Sequence, residues 1–128
     1  MDLEQAFVVE LAALTGLSGK VFPIYAQEGT AAPYCTYEQD DEENTEKLDG
    51  HDTLITARYQ INCYQSTYSG LVTLYNSILA EIKTWQQTTL GASGPFIQSC
   101  TIQNALKTYD HEVKLYQGSI DIEITYKG

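Results

Sequence analysis

A chain of 128 residues, 43% hydrophobic and 19% charged, suits one ordinary domain with a buried core and is too short for separate cofactor and substrate lobes. Seventeen acids against seven bases give a net charge of -10, which excludes binding driven by neutralising phosphates or anionic lipid. No stretch approaches the roughly 18 unbroken apolar residues of a bilayer-spanning helix, and the three dispersed cysteines, Cys35, Cys63 and Cys100, fit a reducing compartment better than a disulfide framework.

Leu3, Phe7, Leu11 and Leu14, with Val8 beside them, recur at helical spacing and predict a first helix. Asp2, Glu4 and Glu10 in this segment stand where an export signal carries bases, so the chain reads as soluble and cytosolic. Gly16 and Gly19 stop the helix, and Val21 to Tyr25 reads as a short extended piece limited by Pro23. A short strand is expected over Tyr34, Cys35, Thr36 and Tyr37.

Residues 38–52 have a loop composition rich in acids, and predict a solvated, mobile hairpin tip. Ile55, Ala57, Tyr59, Ile61 and Cys63 then alternate with Thr56, Arg58, Gln60, Asn62 and Tyr64, which predicts a half-buried strand paired antiparallel with Tyr34–Glu38. Leu71, Leu74, Tyr75, Ile78, Ile82 and Trp85 return to helical spacing, with Ser66, Thr67 and Ser69 as candidate caps and Gly91 and Gly94 beyond the end. Two closing strands follow, Phe96–Leu106 and His111–Tyr126, and a change of parity at Gln117-Gly118 predicts a bulge. The fold class is therefore α+β: an antiparallel sheet of about four main strands, two helices packed on one face and a long acidic hairpin tip, in one domain over 1–128.

No catalytic constellation emerges. Gly16-Leu17-Ser18-Gly19-Lys20 has the residue types of a phosphate loop but the wrong spacing, and follows a helix. His51 and His111 lack metal-ligand spacing, and the acidic segment lacks the pattern of a calcium loop. The cysteines sit in apolar strand patterns as small buried hydrophobes. The chain thus reads as no enzyme, with no metal and no cofactor. Two features point to contacts with other proteins. The acidic tip supplies Glu38, Asp40, Asp41, Glu42, Glu43, Glu46, Asp49 and Asp52, and Tyr34, Tyr64, Tyr109 and Tyr116, among ten tyrosines, are the candidate interface aromatics.

The order of these motifs resembles a known family. A leading helix, Lys20-Val21-Phe22-Pro23, Ala32-Pro33-Tyr34-Cys35-Thr36-Tyr37, Tyr59-Gln60-Ile61-Asn62-Cys63-Tyr64, the Leu71–Ile82 helix and Ser119–Tyr126 together resemble the tail-completion proteins of long-tailed bacteriophages, also called tail terminators or head-to-tail joining proteins. The resemblance implies a structural virion protein of the tail or neck, present in the host cytoplasm during assembly. It further implies a homo-oligomeric ring, typically a hexamer, that caps the head-proximal end of the tail tube, ends its polymerisation and joins the head connector. Its partners would be other copies of itself, the tail tube protein and a head-completion or connector protein, with DNA passing through the lumen unbound and no membrane involved. Two alternatives stay open: another neck component, such as a head-completion or connector subunit, and a monomeric acidic module that binds a metal or small ligand.

Overall fold

A computed structural model describes residues 2–14, 16–24, 26, 30–46 and 53–127. Helix α1 (Leu3–Ala12) opens with a reciprocal cap: Gln5 N–H donates to Asp2 Oδ1 at 2.8 Å, and Asp2 N–H donates to Gln5 Oε1 at 3.0 Å. It buries Leu3, Phe7 and Leu11, as the spacing predicts, and Ala6 with them. It ends before Leu14, and Gly16 and Gly19 then take φ of +86° and +69°, the left-handed region that glycine enters without strain. Helix α2 (Tyr68–Lys83) is capped by Thr67, whose hydroxyl accepts from Gly70 N–H at 3.1 Å. Its buried stripe is Leu71, Leu74, Tyr75, Ile78 and Ile82, and Trp85 follows it into the core from just beyond the last turn.

Among the described residues five strands form one sheet in the order β1-β2-β3-β5-β4: β1 (Val21–Pro23), β2 (Tyr34–Glu46), β3 (Thr53–Gln65), β4 (Ile97–Asp110) and β5 (Leu115–Lys127). The fold is α+β as expected, but the sheet is mixed and has a fifth strand, because β1 pairs parallel to β2 through Val21↔Cys35 to Pro23↔Tyr37. The other neighbours are antiparallel. The expected hairpin of Tyr34 with Tyr64 is present.

The acidic segment requires a correction. Glu38 to Glu46 are strand, paired from Glu38↔Gln60 to Glu46↔Thr53 with one bulge between Gln39 and Asp41. Composition favoured a loop, but the partner strand supplies a ladder on both sides of the bulge, and alternation sends Asp41, opposite Arg58, and Glu42, opposite Ala57, to different faces of the sheet. The rest of the expected tip, with Asp49 and Asp52, lies outside the described residues.

The closing strands differ from expectation in two ways. They turn over residues 111–114, so that β4 runs on through Asp110 and β5 starts at Leu115. No slip occurs at Gln117-Gly118: the β3–β5 register passes unbroken through Cys63↔Gly118, and β5 pairs with β4 without a shift from Leu115 through Ser119. Bulges instead fall in β4 opposite β5, between Ile97 and Ser99 and between Ile102 and Asn104. Gly118 answers a packing need: a Cβ there would lie 2.7 Å from Tyr75 Cδ2 and 3.0 Å from Cys63 Sγ.

The core lies between the helices and one sheet face. Cys35 and Tyr37 of β2, Ala57, Tyr59, Ile61 and Cys63 of β3, and Ile120, Ile122 and Ile124 of β5 meet the buried residues of both helices. Phe7 joins the two layers, edge-on to Tyr37 and Tyr59 and stacked on Trp85 at 5.3 Å between ring centroids.

Candidate interaction surfaces

Because side chains alternate along a strand, the residues between those core positions share the opposite sheet face, and cross-strand pairs join them row by row. Thr56 and Thr125 share a hydroxyl hydrogen bond at 3.0 Å. One row over, Arg58, the single arginine of the chain, donates from Nη1 to both carboxylate oxygens of Asp41 at 2.8 and 2.9 Å, and its Nε lies 3.2 Å from Glu123 Oε2. Gln60 Nε2 donates to Asp121 Oδ1 at 3.2 Å. Ser119 Oγ and Gln117 Nε2 donate to Asn62 Oδ1 at 2.8 and 3.1 Å, and Asn62 Nδ2 donates back to Gln60 Oε1 at 3.3 Å. The result is a polar face of adjacent bonded groups over β2, β3 and β5, acidic in balance, with Arg58 tying three strands together.

The acidic candidates divide between this network and a sheet edge. Asp41 is held by Arg58, whereas Asp40, at the bulge, has its carboxyl pushed up first by partial burial and then by the carboxylates of Asp121 and Asp41. Glu38, Asp40, Asp41 and Glu42 lie on β2, whose backbone also carries Glu43 and Glu46. A strand thus presents acids that the sequence suggested were on a tip.

The four candidate tyrosines form two pairs rather than one patch. Tyr34 and Tyr64 stack at 4.6 Å on the polar face, with Phe22 edge-on to Tyr34 at 6.5 Å. Burial first, and then the neighbouring Tyr34, push the Tyr64 hydroxyl up to about 12. Tyr109 and Tyr116 meet edge-to-face at 4.9 Å at the β4–β5 turn, joined by Tyr68 of α2 at 5.8 Å from Tyr116 and by His111 at 4.9 Å from Tyr109. Tyr68, Leu106, Tyr109 and Val113 are all exposed near this end of the sheet. Sequence reasoning overlooked Tyr68, which reads as an ordinary first-turn residue, and Arg58, whose one signal is a lone arginine on the polar parity of β3.

The cysteines are chemically quiet. Cys35 and Cys63 face each other across β2 and β3 in the core, and burial pushes both thiols up, Cys63 to about 12. They are protonated at neutral pH, and a protonated thiol is a poor nucleophile and metal ligand. Among the described residues no group of three or more His, Cys, Asp or Glu side chains is placed to hold a metal ion. Among the described residues no helix is long and apolar enough to cross a membrane. What the surface offers is area, hydrogen-bonding groups, charge and strand edges, which are the materials of protein contacts.

Comparison with known proteins supports this view. Residues 5–127 match the family described as "Tail completion protein gp17". No curated protein sequence matches the chain. Among solved structures, a chain of the "Virion of native gene transfer agent (GTA) particle" has the same fold, with a TM-score of 0.66 at 14% identity over 98% of this chain and 95% of that one.

Proposed function

This chain belongs to the tail completion protein gp17 family of phage tail proteins, a structural component of the virion tail or neck, and from that membership we propose that it caps the head-proximal end of the tail tube. In this reading the chain assembles as a ring, typically of six copies, ends tube polymerisation and gives the head connector a surface to join. The observation that carries the reading is the family match over nearly the whole chain, set on a fold whose surface is equipped for contacts rather than for chemistry.

A small subunit that closes a tube must bind copies of itself around the ring and different proteins above and below it. The β4–β5 turn, with Tyr68, Tyr109 and Tyr116, supplies aromatic contact area at one end of the sheet. The helix-free sheet face, with Glu38, Asp41, Asp121 and Glu123 against one arginine, suits the lumen: a negative lining repels DNA phosphates, so the genome slides through unheld.

Light-scattering mass coupled to size exclusion, with negative-stain microscopy, tests the ring. The expected result is a species several times the 14.3 kDa of one chain with annular particles, formed alone or on added purified tail tubes. A chain that neither forms annuli nor binds tube ends would overturn the proposal.

A further inference from the structure

The sheet ends in two long strand edges of opposite character. On one side, β1 covers only Cys35 to Tyr37 of β2 and stops at Pro23, and among the described residues no strand pairs with β2 from Gln39 to Glu46 on that side. On the other side, β4 is the terminal strand. Its start is covered by the segment that carries Gln87 and Thr88, through Gln87 N–H to Ile97 O at 2.8 Å and Ile97 N–H to Thr88 O at 2.8 Å. From Ser99 to Asp110 its outer side has no strand neighbour among the described residues.

The register fixes which backbone groups these edges present. Cys35 N–H donates to Lys20 O at 2.9 Å, so the polar groups of Cys35 point to β1 and those of its partner Cys63 point to β5. Counting by twos along β3, Ala57 points to β5, so its β2 partner Glu42 points away from the sheet. Likewise Gly118, bonded to Cys63, points to β3, and its β4 partner Lys107 points outward with Tyr109. Each edge therefore carries a row of backbone donors and acceptors, the arrangement that templates the addition of another strand.

Charge and polarity select the occupant. The β2 edge runs through Asp40, Asp41, Glu42, Glu43 and Glu46, so two such edges repel each other. The β4 edge from Ser99 to Asp110 carries only Lys107 and Asp110 as charged residues, followed by Glu112 and Lys114 in the turn, so its charges balance and it lacks the like-charge protection that keeps edges apart. In the sheet order, β2 and β5 run one way and β3 and β4 the other. Copies set side by side in the same orientation thus place β4 of one antiparallel to β2 of the next, continue the alternation of the sheet and keep all helices on one side. A contact between two different patches, repeated by rotation, closes into a ring.

We propose that the β4 edge of one copy, over Ser99–Asp110, pairs antiparallel with the Gln39–Glu46 edge of β2 in the next copy, so that one continuous sheet forms the wall of the ring. The inference rests on the ring reading above and specifies its contact.

Two half-blocked chains test it. Lys107→Pro removes an outward N–H from β4 and leaves β2 intact; Glu42→Pro does the converse. Each N–H faces away from the sheet, so both chains should keep the wild-type circular dichroism. Sedimentation equilibrium of the wild type, up to about 1 mM, should show growth beyond two chains. Each variant alone should associate at least about tenfold more weakly, the effect of one lost hydrogen bond and a steric clash. Their mixture should form a single complex of twice the 14.3 kDa chain mass and grow no further, because each supplies the edge that the other lacks. Glu42→Pro forming a dimer by itself would show β4 pairing with β4, and both variants assembling like the wild type would place the contact elsewhere; either result overturns the proposal. If a variant fails to fold, amide hydrogen exchange of the wild type decides. Glu42, Lys107 and Tyr109 should gain protection as concentration rises, and a chain that stays monomeric with these amides unchanged also overturns the proposal. Annular particles seen with both variants would leave the ring standing and remove the edge contact alone.

Discussion

The two faces of the sheet come from the same strands and do opposite work. On the covered face, Ala57, Tyr59, Ile61 and Cys63 alternate into contact with Ile120, Ile122, Ile124 and both helices. On the other face, Thr56, Arg58, Gln60 and Asn62 form a hydrogen-bonded lattice with β5. Burying a large apolar side chain contributes about 1.5–3 kcal/mol, whereas a protein hydrogen bond that replaces one to water contributes about 0.5–1.5 kcal/mol net. Stability is thus concentrated on one face. The other is ordered by polar pairing without depending on it, which leaves that face and the edges available for assembly.

Substitutions measure how unequal the faces are. The largest effect is expected at Phe7, fully buried among Tyr37, Tyr59 and Trp85: Phe7→Ala should cost about 3–5 kcal/mol in urea unfolding, through lost transfer energy and a residual cavity. Gly118→Ala, on the same face, should cost about 1–3 kcal/mol, because its Cβ collides with the Tyr75 ring and Cys63 Sγ. Across the sheet, Arg58→Ala removes bonds to Asp41 and Glu123, yet should cost less than about 1 kcal/mol and less still in high salt, since the guanidinium is partly exposed. A cost at Arg58 equal to that at Phe7 would erase the contrast.

The smallest expected effect lies where the helices meet. Glu81 accepts from Trp85 Nε1 at 3.2 Å, and its carboxyl is pushed above the usual glutamate value by burial first and then by a hydrogen bond with Glu10. A pKa higher in the folded than in the unfolded chain favours folding below the unfolded value near 4.5, and that benefit is lost as pH rises through the folded value. Glu81→Gln keeps an acceptor for Trp85 and removes the charge beside Glu10. Thermal melts should show it about 1–2 °C more stable than the wild type at pH 7, with the gain gone by about pH 4. An advantage that persists at low pH would show that carboxylate proximity is not its source.

Much of this was legible in the sequence because periodicity survives in regular, one-sided elements. The α2 stripe and the β3 alternation directly record which residues meet the core. The Glu38–Glu46 strand was hidden because its acids carry no hydrophobic alternation, and only the partner's register reveals it. Gly118 read as a bulge because sequence shows the missing side chain but not the Tyr75 ring that excludes one. The candidate interface tyrosines were chosen by residue type alone; their sorting into Tyr34–Tyr64 and Tyr109–Tyr116, with Tyr34 buried and Tyr109 exposed, is a product of sheet order. The edge character of β4 has the same origin: β5 carries the Ile120, Ile122, Ile124 alternation of a covered strand and β4 does not, but only the sheet order makes β4 the terminal strand.

The central claim is that this chain ends the tail tube. The direct test is the distribution of tail lengths, by electron microscopy, in lysates of a phage carrying this chain as its tail completion protein with its gene deleted. The account predicts abnormally long tubes and heads without tails, both reversed when the chain is supplied from a plasmid. Tails of normal length, blunt and complete but separate from heads, would contradict termination and assign the chain to joining alone.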